Sequence, residues 1–153
     1  MATESPLLHD GGQNTLSTAS DFRNSSVTGS TLAGPNGSGQ FLAVQVSTAR
    51  TISLMSTGGS SGLGIYGICQ NKPGPGVAVD VGFLGISKCV AGAAITGGQA
   101  LMASATLGGT LVPYSTAVLS AWPCGVALET AAAGQVFTAN ITGILNNFLK
   151  STA

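Results

Sequence analysis

The chain has 153 residues, of which 44% are hydrophobic and only 7% are charged. Five Lys and Arg balance five Asp and Glu, too few cations to neutralise the phosphates of a nucleic acid, so we expect no nucleic-acid partner. The 23 glycines and the scarcity of Glu and Lys exclude a helix-rich surface and favour short strands and loops.

Residues 1–40 predict an extended N-terminal arm rich in Gly, Ser and Thr. The chain opens without the pattern of an export signal, and no apolar run reaches the roughly 18 residues that span a membrane. The segment is too polar to offset its folding entropy alone. It is either a flexible tail or an arm that orders on a neighbour, which its spaced apolar residues favour. The predicted capsid or neighbour contacts of the arm are Leu7, Leu8, Leu16, Phe22, Val27 and Leu32.

Residues 41–147 predict a β domain, which a short tail at 148–153 follows. Apolar or alternating runs mark its strands and indicate two hairpins. These runs are at 41–46, 51–55, 77–81, 100–104, 110–114, 125–129 and 136–142. Pro113 predicts an edge position for its strand. Residues 144–150 are the single candidate for a short helix.

Two glycine series coincide when the chain is shifted by 58 residues. The two copies are residues 67–86 and 125–144, which we interpret as a candidate internal repeat. In each copy the middle glycine suits a turn, and the last suits a strand end or bulge. The predicted structural glycines are Gly67, Gly76, Gly85, Gly125, Gly134 and Gly143.

The segment GLGIYG at 62–67 has the G-x-G-x-x-G spacing of dinucleotide-binding loops. That function requires a helix directly after the loop, whose N-terminus binds the pyrophosphate. Here the Pro and Gly residues at 73–76 exclude a helix. We therefore predict no nucleotide and no other cofactor, and we assign the glycines to a turn that leads into a strand.

No catalytic or metal site is predicted. The single imidazole, His9, lies in the arm, far from each of the three widely spaced cysteines, which excludes a Cys–His device and a zinc site. The cysteines predict free, partly buried thiols in a reducing cytoplasm. Asp80 and Glu129 are the carboxylates outside the arm; a glycosidase pair is conceivable, but we interpret them as solvated surface groups. We do not expect an enzyme.

Three motifs in the second half of the chain point to a family. They are Ala94-Ile95-Thr96-Gly97-Gly98, the Gly108-Gly109 turn, and the series Gly125, Ala127, Ala131 to Gly134 and Gly143. With these motifs, residues 60–145 resemble the tailed-bacteriophage capsid decoration (head cement) proteins. The resemblance implies a mostly β fold, a small β-barrel or β-tulip-like sandwich with little helix, made in the host cytoplasm and bound to the outer capsid surface of the virion.

The resemblance also implies the partners: the major capsid protein, and further copies of the chain in a homotrimer that stabilises the mature, DNA-filled shell. No membrane partner is expected. Tyr114 and Trp122 are candidate subunit-interface residues. Two alternatives stay open, namely another structural virion component, such as a tail-tube or fibre subunit, and a surface carbohydrate-binding module in which Trp122 or Tyr114 stacks on a sugar.

Overall fold

The computed structural model describes residues 13–18, 39–48, 51–55, 65–72, 78–104, 107–116 and 123–142. Within these ranges the chain forms ten β-strands and no helix, so none crosses a membrane there, and the predicted mostly β class is confirmed. The strands are β1 (Gln13–Thr18), β2 (Ala43–Thr48), β3 (Thr51–Leu54), β4 (Gly67–Cys69), β5 (Ala78–Gly82), β6 (Gly85–Val90), β7 (Ala100–Ala103), β8 (Leu111–Pro113), β9 (Gly125–Ala127) and β10 (Val136–Ile141).

The first five strands form a sheet that closes on itself. Their order is β1-β3-β2-β4-β5, and β1 also pairs with β5. All of these pairings are antiparallel except that of β1 with β3, which is parallel. Closure satisfies the backbone groups of both edges, and the interior is filled by side chains. The buried interior residues are Val44, Ile52, Cys69, Val79 and Val81.

The last five strands form a second sheet in the order β6-β10-β9-β7-β8, with antiparallel pairings throughout. Its two outer strands approach each other, because a parallel bridge joins Ala91, just after β6, to Leu111 in β8. Pro113 lies in β8 at the end of the strand order, as predicted from its missing N–H.

The second sheet repeats the strand pairings of the first. A shift of 58 residues carries β4 onto β9 and the start of β5 onto the start of β10. The same shift carries the pair Ile68–Gly82 onto the pair Val126–Asn140. The sequence repeat at 67–86 and 125–144 covers these strands, whereas its Gly76 and Gly143 lie outside the described residues.

The correspondence extends to all ten strands. β1 pairs with β5 as β6 pairs with β10, and the hairpin of β2 and β3 corresponds to that of β7 and β8. Even the parallel closing contact recurs, as Thr18–Ile52 in the first sheet and Ala91–Leu111 in the second. We call β1–β5 the first unit and β6–β10 the second unit.

Strand β1 corrects the predicted boundary of the arm at residue 40. It pairs with β5 over five positions, from Gln13–Gly82 to Ser17–Ala78, so the β structure begins at residue 13. Composition misses this strand, because pairing satisfies backbone N–H and C=O groups without a long apolar run. Leu16, predicted as an arm contact, stands in β1 opposite Val79. The other five predicted arm contacts lie outside the described residues.

The two units share one buried core. Ala43, Met55 and Ile68 of the first unit belong to the same cluster of buried residues as Phe137 and Ile141 of the second. Burial of apolar area drives folding. We therefore expect the two units to fold together.

Gly67 and Gly125 occupy corresponding positions at the start of β4 and β9. A Cβ on Gly67 would lie 2.6 Å from the Gly82 carbonyl oxygen, and a Cβ on Gly125 would overlap the carbonyl oxygen of Asn140. Both glycines are thus required by a neighbouring strand that passes too close for a side chain. Two other predicted glycines have left-handed backbone angles, Gly85 at φ 99° and Gly134 at φ 82°.

Candidate interaction surfaces

The two carboxylates outside the predicted arm belong to different units. Asp80 lies in β5, and its N–H donates to Asn71 Oδ1 at 3.2 Å. Glu129 follows β9, and its carboxylate accepts a hydrogen bond from the N–H of Thr138 in β10. Both residues are exposed, and each is bonded to a neighbouring segment of its own unit. The structure thus gives them the surroundings of surface carboxylates.

All three cysteines are free and buried. Cys69 lies inside the first unit, whereas Cys89 and Cys124 lie in the shared core. Burial raises the pKa of Cys69 and of Cys124 to about 12, and it also raises the pKa of Cys89. Because the thiolate is the reactive and metal-binding form, these thiols are inert near neutral pH. No group of three metal-ligating side chains occurs among the described residues.

We expect the free energy of unfolding to decrease as the pH rises above about 9. In the unfolded chain the thiols ionise near a pKa of about 8.5, whereas in the folded chain the pKa of Cys69 and Cys124 is about 12. Loss of the proton therefore favours the unfolded state, by up to about 1.4 kcal/mol per thiol for each pH unit in this window. Urea unfolding between about pH 8 and about pH 10.5 measures the slope.

The matched control for this pH dependence is a variant with one thiol fewer, Cys69→Ala. Its stability at neutral pH will be lower because it loses packing, but its slope above about pH 9 should be shallower than that of the wild type. Equal slopes for the two proteins would show that the buried thiols do not cause the effect.

The two units meet along the outer surface of β2 and β4. The N–H of Ala43 donates to the carbonyl of Gly109 at 2.6 Å. Gln70 Nε2 donates to Ser87 Oγ at 2.9 Å. Ile68, whose side chain leaves the interior of the first unit, is fully buried in the shared core. This side of the second unit, formed by β6 and β8, therefore covers the β2–β4 surface.

Phe41 joins the units at the start of β2. Its φ of 67° is unusual for a residue with a side chain. Two hydrogen bonds hold this conformation: its N–H donates to the Cys69 carbonyl at 2.7 Å, and its carbonyl accepts from the N–H of Val90 at 3.2 Å. Lys88 Nζ also lies 5.9 Å from the centre of the Phe41 ring, within the range of a cation–π contact.

The outer face of the second sheet carries exposed apolar side chains. Ile86 is 75% exposed, Leu128 50% and Val126 41%. Ile86, Asn140 and Val126 stand directly opposite one another on β6, β10 and β9. Ala100, also exposed, faces Val126 from β7. We call Ala100, Val126 and Leu128 the β9 surface; grouped apolar exposure of this kind marks interaction sites.

Sequence analysis did not identify the β9 surface. The alternation in GVALE places Val126 and Leu128 on one face of a strand, but it does not show which face is covered. Of the two predicted interface aromatics, Tyr114 is half-buried and its N–H donates to the carbonyl of Ala100 at 2.8 Å, next to this surface. Trp122 lies outside the described residues. Their interface role stays a prediction.

No family model matches the chain, and no curated protein is similar to it. Among solved structures, the N base of the head fibre gp8.5 in bacteriophage phi29 is similar, with a TM-score of 0.51 and 20% sequence identity. The similarity covers 84% of this chain and 92% of that chain. At this identity the likeness establishes a common fold.

Proposed function

We propose that this protein is a structural component of a bacteriophage virion that binds the outer surface of the capsid. The observation that carries the proposal is the likeness of 84% of the chain to the base of a phage head fibre. The resemblance of the second half to capsid decoration proteins supports the same location on separate grounds. The partner is then the major capsid protein.

Capsid binding would stabilise the mature, DNA-filled shell by linkage. A protein that binds the assembled shell and not the dissociated subunits adds about 2.7 kcal/mol per site at a free concentration of 100 Kd. Contacts to neighbouring capsid subunits would add avidity. The apolar residues of the N-terminal segment outside β1 are the proposed capsid contacts: Leu7, Leu8, Phe22, Val27 and Leu32.

A second form of the same proposal is favoured by the fibre neighbour. As the base of a head fibre, the protein would attach further fibre material to the capsid, and stabilisation of the shell would not be required. Heat-induced release of DNA separates the two forms, because only a stabilising protein raises the temperature at which decorated heads lose their DNA.

The purified chain is expected to bind saturably to heads from a phage that lacks it, as measured by co-sedimentation and electron microscopy. A rise in the DNA-release temperature would support stabilisation, and binding without a rise would support a fibre base. Absence of binding to heads, or binding to tails alone, would contradict the proposal.

The contribution of the N-terminal segment is tested by deletion of residues 1–12. This deletion leaves β1 intact, whereas deletion through residue 33 would remove a strand of the first unit. We expect weaker binding to heads and an unchanged thermal unfolding curve. Full occupancy by the truncated chain would exclude Leu7 and Leu8 as capsid contacts.

A further inference from the structure

The β2–β4 surface, which joins the two units, has an exposed counterpart in the second unit. Ile68 faces Ala43 in the first unit as Val126 faces Ala100 in the second. Ile68 and Ala43 are 0% exposed, whereas Val126 is 41% exposed. Two surfaces with the same strand pairing thus differ because one is covered and the other is not.

The next position on each strand supports this comparison. The N–H of Gln70 donates to the carbonyl of Asp80, and the N–H of Leu128 donates to that of Thr138, at the corresponding place. Gln70 is used at the junction, where it bonds to Ser87. Its counterpart Leu128 is 50% exposed. The β9 surface is therefore at least as apolar as the surface that already forms an interface.

The side that covers the β2–β4 surface also has a counterpart. It is formed by β6 and β8, whose counterparts in the first unit are β1 and β3. Val90 of β6, 2% exposed at the junction, faces Val136 as Ser17 of β1 faces Ala78. A chain with two such units carries one uncovered surface of each kind, unless another molecule covers them.

We propose that a second copy of this chain covers the β9 surface, with its β1–β3 side in the place that the β6–β8 side takes within the chain. The contact joins two different surfaces, so each copy binds one neighbour through β9 and another through β1. Repetition of such a contact closes a ring when the rotation permits it. Three copies in a ring would form the homotrimer expected from sequence.

Val126→Arg tests the proposal, because it places a charge at the centre of the β9 surface. By sedimentation of the purified full-length chain, we expect the wild type to associate and the variant to do so at least about tenfold more weakly. Val136→Arg is the matched control: Val136 is 39% exposed and lies in the same sheet, and its counterpart Ala78 is exposed at the existing junction. The control should associate like the wild type, and both variants should keep the wild-type thermal unfolding curve.

A mixing experiment tests whether two different surfaces are joined. Ser17→Arg should block the β1–β3 side and, alone, should prevent association. A mixture of this variant with Val126→Arg should form a pair, because each supplies the surface that the other has lost. A wild type that stays monomeric, a Val126→Arg variant that still associates, or a mixture that forms no pair would overturn the proposal. Capsids are absent from these measurements, so the outcome does not depend on the proposed function.

Discussion

Replacement of Gly125 by alanine is expected to lower the free energy of unfolding by about 3 kcal/mol. The added Cβ would overlap the carbonyl oxygen of Asn140, and the next nearest atom is the Cα of Ile141 at 3.1 Å. Both are backbone atoms of β10, which pairs on its other side with β6, so they cannot rotate away as the end of a side chain would. Relief requires that β9 move away from β10. Urea unfolding of the purified chain measures the loss.

The matched control is Gly97→Ala. A Cβ at Gly97 would lie 3.7 Å from the backbone of Glu129, an ordinary contact. We expect its stability to stay within about 1 kcal/mol of the wild type, with a small gain from the reduced entropy of the unfolded chain. If Gly125→Ala were as stable as Gly97→Ala, the close approach of β10 would not be what requires glycine in β9.

The second large effect is expected for Phe137→Ala, at about 3–5 kcal/mol. Phe137 is the largest of the fully buried side chains and is 1% exposed. It faces Cys89 across β10 and β6, in the cluster that both units share. A cavity here removes contacts from the second unit and from the junction with the first. Chemical and thermal unfolding should show one cooperative transition at lower stability.

Phe137→Leu is the control for this cavity. Leucine retains most of the buried volume, so its cost should be well below that of alanine, at about 1–1.5 kcal/mol. Equal losses for the two variants would mean that the aromatic ring, not the filled volume, stabilises the core. A first unit that unfolds in a separate transition would contradict the inference that the units fold together.

Strand positions were predictable where local pattern and burial agree. The runs at 41–46 and 51–55 and those at 100–104 and 110–114 predicted hairpins, and the structure pairs β2 with β3 and β7 with β8. Pro113 marked an edge for a reason contained in the residue itself, its missing N–H. The glycine spacing also coincides with β4 and β9, because close approach of the next strand allows no side chain there.

Strands β1 and β6 were not predicted, and the reason is common to both. QNTLST and GISKCV contain too few apolar residues to mark a strand by pattern. They are strands because β5 and β10 supply partners along their length, and backbone hydrogen bonds do not depend on side-chain type. A segment whose structure depends on a distant partner carries little local signal.

The amino-acid sequence by itself determined the class of fold, the hairpins and the absence of a helix after GLGIYG, because charge content, alternation and proline act locally. The tertiary structure alone decided which face of each strand is covered. GIC in β4 and GVA in β9 have the same pairing, yet Ile68 is fully buried and Val126 is 41% exposed. The physical reason is that burial depends on what packs against a strand, and the second unit packs against β4 while β9 stays exposed.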